Sequence, residues 1–363
     1  MLLHHFTAAA AVLWILAGPL LNEAAALAAE RQPSFTITDL GSLKEPCSRA
    51  YAANAAGQVV GAADYGNASQ AFLWDKGKMS GIGTYDYCQS EALDINDTGT
   101  VVGWARLAAN RQMLRAIVWR DGKATDLGAG TAEAVNKAGH VVGGGMGLGA
   151  YMHDGAKAIG LGTLPGHDTL AVAYGINNSD EVVGYVQREA VTRAFYWKNG
   201  KMTDLGTLGG LRSMAFAIND SGQIAGWAET ADGVEHASVW VKGRIADLGV
   251  AKGGSRAYGI NNAGEVVGAI LANVPYWRSK EAVSQPPPLR NNAGGEAFLW
   301  QRGTVTVLEK AITGHSGEWL LTSAADINDA GQVVGDGTHN GTTRAFLLTP
   351  TGGPRPLGSA PGK

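Results

Sequence analysis

The stretch "AINDSGQIAGWAE", residues 217–229, has near copies in "GINNAGEVVGAIL" from Gly259 and "DINDAGQVVGDGT" from Asp326. Its asparagine recurs as Asn54, Asn96, Asn136, Asn177, Asn219, Asn261 and Asn328. The intervals are 42, 40, 41, 42, 42 and 67 residues, so the last carries an insertion. Around each anchor the register is strict. An alanine stands four positions before (Ala50, Ala92, Ala132, Ala173, Ala215, Ala257, Ala324). A glycine stands seven positions after (Gly61, Gly103, Gly143, Gly184, Gly226, Gly268, Gly335). A glycine also stands three positions after, except in the fourth unit, which has Asp180. A fixed period of this length is the mark of a repeat architecture.

Working outward, each unit continues with a third segment such as "QAFLW" from Gln70, "RAFYW" from Arg193 or "HASVW" from His236. A short turn then leads to a fourth, "TDLG" at Thr125 and Thr203 or "ADLG" at Ala246. Four β-rich segments per unit, bounded by Gly, Asn and Asp, predict four antiparallel strands per unit. The expectation is an all-β fold, a seven-bladed β-propeller over residues 34–350. Asn-x-x-Gly is then the turn between the first and second strands. The alanine and glycine columns allow close packing near the axis, and Trp74, Trp119, Trp197, Trp240 and Trp300 fill wider gaps. Residues 34–41, "SFTITDLG", form a fourth-strand motif with no unit before it. The last unit's own fourth segment holds Pro354 and Pro356, which suit a sheet poorly. The N-terminal strand is therefore expected to close the ring.

The first residues read as an export signal over 1–28, with an apolar run followed by small residues and cleavage after Ala28 or Ala29. The n-region has His4 and His5 and no Lys or Arg. The expected location is periplasmic or extracellular, without a membrane anchor after cleavage. Residues 351–363 read as a tail. The chain has 363 residues and a net charge of −3, which gives no electrostatic footprint for nucleic acid. Cys47 and Cys88 precede neighbouring anchors by seven and eight residues, and an oxidising compartment permits a bond between them. A disulfide is expected there.

The units resemble those of the exported HAF-repeat proteins of bacteria. The nearest copy is "RAFYWKNGKMTDLGTLGGLRSMAFAINDSGQIAG", residues 193–226, and all seven units take part. Here the His-Ala-Phe column is mostly Arg-Ala-Phe, and only His236 keeps the histidine. The resemblance implies the propeller fold and export. It carries over no catalytic residues.

No nucleotide, hydrolase-elbow or zinc motif is present, and no cofactor is expected. Glu91, Asp94, Glu133 and Asp326 fall on first strands, which would line the axis; they are weak candidates for a cation. The insertion, 269–295, contains Tyr276, Trp277 and Arg278, residue types that dominate recognition patches, and a proline run at 286–288. With Arg49 and Arg256 they form the candidate binding set, on the face where first strands begin. The expected role is a monomeric binding or scaffolding module for a glycan or protein. The alternative is a polysaccharide lyase or hydrolase with a pocket at the channel mouth.

Overall fold

The computed structural model describes residues 33–83, 87–166, 170–189, 191–251, 253–271, 295–314 and 319–352. The export signal, Tyr276, Trp277, Arg278, the proline run and the tail beyond 352 lie outside the described residues.

Strands dominate because the sequence alternates short β-branched and aromatic runs with Gly, Asn and Asp turns. One short 3-10 turn, Leu308–Ala311, is the single helical element among the described residues. The repeat anchored at Asn177 shows the plan. Its strands Leu170–Ile176, Val182–Arg188, Val191–Lys198 and Lys201–Asp204 lie antiparallel in sequence order. The second strands carry the β-branched pair and are covered on both faces: Val59, Val60, Val182, Val183, Val266 and Val267 are fully buried. Between neighbouring repeats the apolar clusters mix residues of both. One joins Ala134, Val142 and Met152 with Ala173, Val182, Phe195 and Trp197. Trp74, Trp119, Trp197 and Trp240 are buried as expected, while Trp300 is half-buried.

Among the described residues there are five four-stranded sheets and one of seven strands. The longer sheet arises because Lys123–Val135 serves both as the last strand of one repeat and as the first of the next. Its cause is a short connection: "DLGAGTAEAVN" has five residues fewer between its Asp and its anchor Asn than "DLGTLGGLRSMAFAIN". With no loop to spare, the chain runs straight through, bending at Gly128 (φ 130°) and Gly130 (φ 137°).

Phe35–Asp39 pairs antiparallel with Thr342–Pro350, from Phe35 opposite Pro350 to Asp39 opposite Phe346. Asp39 occupies the place that Asp126, Asp204 and Asp247 hold in other repeats. Each of those aspartates takes a basic side chain from the third strand: Arg115, Arg193 or His236. Asp39 takes Arg344 and His339. In all four, one carboxylate oxygen also accepts the N–H of the glycine two residues on. The Arg-or-His column and the Asp-Leu-Gly motif are therefore two halves of one side-chain pairing. Burial pushes the Asp39 pKa up, but the Gly41 N–H and the Arg344 and His339 side chains outweigh it and hold the carboxyl below its ordinary value.

The expected disulfide is not formed: Cys47 and Cys88 are both free thiols. Each is tied into its own hairpin. The Cys47 carbonyl accepts the Asp64 N–H, and the Cys88 thiol faces the Leu107 carbonyl. The near-equivalent sequence positions thus mark equivalent places in neighbouring repeats, which are not bonded places.

Candidate functional site: an axial cavity of aromatic and acidic side chains

The asparagine anchor does more than make a turn. Asn219 Oδ1 accepts the N–H groups of Ser221 and Gln223, which fixes the turn. Its Nδ2 reaches out of the repeat to the Asn261 carbonyl at 3.0 Å. Each anchor does the same to the next: Asn54 to Asn96, Asn96 to Asn136, Asn136 to Asn177, Asn177 to Asn219, and Asn261 to Asn328. Asn328 donates to the Asn54 carbonyl at 2.9 Å, so the series returns to its first member. The first and last repeats are further joined by Ala53 N–H to Asp326 and Ala345 N–H to the Ser48 hydroxyl.

Toward the other end of each first strand, the alanine column pairs with the glycine column, Ala50 opposite Gly61 and Ala215 opposite Gly226. Immediately after that alanine the register slips by one residue in every repeat. Such a bulge leaves one residue out of the ladder and re-aims its side chain. The residues left out are Tyr51, Leu93, Glu133, Tyr174, Phe216, Tyr258 and Ala325. With Asp94 and Asp326 they line a cavity of about 150 Å³. Tyr174 lies 5.5 Å from Phe216 between ring centroids, and Phe216 lies 5.5 Å from Tyr258, so three successive repeats present a continuous aromatic arc. Ile176, Ile218 and Ile260 border this cavity and also a second one of about 210 Å³, bounded by the asparagine anchors and by Asp97, Asp220 and Asp329.

Cations near these strands are matched to carboxylates. Arg256 Nε is 2.7 Å from Glu235, with both side chains buried, and Arg212 is 3.0 Å from Glu229. Burial raises the Glu235 pKa and Arg256 pulls it back, while Glu235 holds the guanidinium charged. Burial raises Glu91 to about 7; a hydrogen bond from Tyr51 and the Arg49 charge oppose this, and the Glu133 charge adds to it. Burial likewise raises Asp336 to about 6, opposed by Arg49 and by a hydrogen bond from Thr322.

The sequence candidates fare differently. Arg256, expected to meet a ligand, is 5% exposed and locked against Glu235. Arg49 is half-buried and acts on Glu91 and Asp336. Asp94 and Asp326 accept the N–H groups of Val135 and Ala53 in the neighbouring repeat, which gives them structural work. Among the described residues no cluster of three or more His, Cys, Asp or Glu side chains is placed to hold a metal ion. The insertion leaves from Ile270, opposite Ser255 and Glu296, at the strand ends away from the asparagine turns. Of the bulge residues, sequence reasoning singled out Glu133 and missed the other six. Their one signal was a bulky, varied position set beside the invariant alanine.

No protein-family model matches the chain, and no curated protein sequence matches it. Among solved structures it is similar to the β-propeller domain of the Trilobed protease from Pyrococcus furiosus, described as having an open velcro topology. The TM-score is 0.55 at 10% identity, covering 90% of this chain and 96% of that one. It is also similar to TolB from Acinetobacter baumannii (TM-score 0.35, 10% identity, 88% and 56% covered). A third match is an acylaminoacyl peptidase from Pyrococcus horikoshii (TM-score 0.45, 12% identity, 85% and 52% covered). The chain spans about half the length of the last two. The first likeness establishes a propeller-like all-β fold; at such identity it says nothing about activity.

Proposed function

We propose that the chain is an exported seven-bladed β-propeller of HAF-repeat type, closed by its N-terminal strand, that works as a binding or scaffolding module. The seven-stranded sheet is read as two blades sharing one uninterrupted strand. The returning series of asparagine bonds supports seven blades and closure together. Export rests on the leader-like first 28 residues. The ligand docks over the axis at the end that carries the insertion.

The observation that favours binding over catalysis is the pairing of Arg256 with Glu235 and of Arg212 with Glu229. Catalytic acids and bases need a proton-transfer path to substrate; these groups spend their charges on each other. The test is a screen of the full chain against immobilised glycans and envelope peptides, followed by incubation of each captured ligand and mass analysis. Retention of an intact ligand is expected. Cleavage of a captured glycan would overturn the reading in favour of a lyase or hydrolase.

A further inference from the structure

We propose that the axial cavity is a site for a small organic ammonium group, an inference that rests on the axial binding role proposed above and names its ligand class. Three observations carry it. First, the bulges place Tyr174, Phe216 and Tyr258 along one side of the cavity at 5.5 Å steps. Aromatic faces attract cations through the ring quadrupole, and quaternary ammonium ions suit them because they need no hydrogen bonds. Second, the remaining wall supplies charge of the matching sign. It carries the carboxyl groups of Asp94, Glu133 and Asp326 and, among its described residues, no Lys, Arg or His. The guanidinium of Arg256, two positions before Tyr258, is paired with Glu235 and also meets the Tyr258 side chain. Third, the size fits. A cavity of about 150 Å³ admits a group the size of benzene, which selects the cationic head of a ligand and excludes a sugar chain or a peptide.

Each part has an ordinary structural cause, but the combination does not follow from one. The bulge recurs in all seven repeats, and the repeats with Leu93 and Ala325 show that it needs neither a ring nor a charge. Three of the four aromatic bulge residues instead fall on successive repeats, while Tyr51 stands apart in the first, and carboxylates flank that run through Glu133 and Asp326 on the adjoining repeats. An aliphatic collar, Ile176, Ile218 and Ile260, bounds the cavity on the asparagine side.

The test uses the full chain and two probes of the same shape: choline, which carries a trimethylammonium, and 3,3-dimethyl-1-butanol, its neutral isostere. Binding is followed by calorimetry and by intrinsic tyrosine and tryptophan fluorescence. Choline is expected to bind at least about tenfold more tightly than the alcohol. F216L and E133Q are each expected to weaken choline about fivefold or more and to weaken the alcohol much less. E133Q keeps the shape of the wall, so it decides the matter if F216L fails to fold. Equal affinity for both probes, no choline binding, or displacement of choline by potassium at equal concentration would overturn the proposal. The glycan and peptide screen separates this inference from the broader one. A captured ligand with no choline binding sinks the ammonium site alone; a blank screen with choline bound sinks the macromolecular ligand alone.

Discussion

Residue by residue, two repeated positions carry the architecture for different reasons. At Gly226 the backbone dihedral is ordinary, but an added Cβ would sit 2.0 Å from the Met214 carbonyl oxygen. The same close approach recurs at Gly61, Gly103, Gly143, Gly184, Gly268 and Gly335. Gly222 has φ 73° but open surroundings, with Glu181 Oε2 nearest at 3.4 Å. G226A is therefore expected to cost about 3 kcal/mol or more by overpacking, and G222A about 1 kcal/mol by strain; urea melts of both variants check the order. Asn219 is 5% exposed and makes bonds within its turn and to the next repeat. N219A leaves those buried partners unmet, and a loss of about 2–4 kcal/mol is expected by the same melts. Glu91 tests the electrostatics. Its folded pKa is raised by burial from 4.5 to about 7, so the folded state holds a proton the unfolded state has lost. The sign is that stability falls as pH rises between those values. E91Q removes that dependence. Its melting temperature relative to the parent is expected to rise between pH 5 and pH 8, by the equivalent of roughly 3 kcal/mol at most. A parallel shift at both pH values would contradict the burial of an ionisable Glu91.

For the strands and connections, much was readable in the sequence and the failures have physical causes. The four-segment unit, the Asn-x-x-Gly turn and the role of residues 34–41 followed from spacing, because turn chemistry and β-pattern are local. Asp180 illustrates this: it replaces the turn glycine and still adopts φ 56°. The continuous strand Lys123–Val135 was not anticipated, although its short connection was visible, because strand continuity depends on where the two sheets lie. The aromatic part of the cavity was unreadable for a similar reason, although its carboxylates Asp94, Glu133 and Asp326 were picked out from the sequence. A bulge moves Tyr174, Phe216 and Tyr258 out of the ladder, and strict alternation places them wrongly. Arg256 was misassigned because its partner Glu235 lies 21 residues earlier, on the preceding repeat's third strand. The insertion gives a further prediction. Ile270 pairs with Glu296, and the Leu271 N–H bonds to Gly254, so the hairpin is already made on both sides of it. Removing 273–293 and joining the ends with a short turn is expected to leave the melting temperature within a few degrees, since loop length costs little. Unfolding of that variant in calorimetry would show that the segment belongs to the core.

At the scale of the whole molecule, the account stands on the ring. Each repeat buries its faces only against its neighbours, so a break between the first and last repeats exposes surfaces on both. The N-terminal strand spans that seam at Leu40, 3% exposed, which packs among Ala50, Val59 and Trp74 of the first repeat and Val334 and Leu347 of the last, and it is anchored on the last repeat by Phe35, 1% exposed, and by Asp39 against Arg344 and His339. Two buried apolar side chains contribute about 1.5–3 kcal/mol each, before the ladder and the ion pairs are counted. The asparagine series links the last repeat back to the first, and the cavity draws lining residues from every repeat. The most direct measurement is calorimetry of a chain lacking residues 34–41, alone and with a synthetic peptide of that sequence added in excess. The account predicts a melting temperature lower by about 10 °C, recovered in part by the peptide, which can add back as a strand. An unchanged melt, or a lowered melt that the peptide does not restore, would contradict closure by the N-terminal strand.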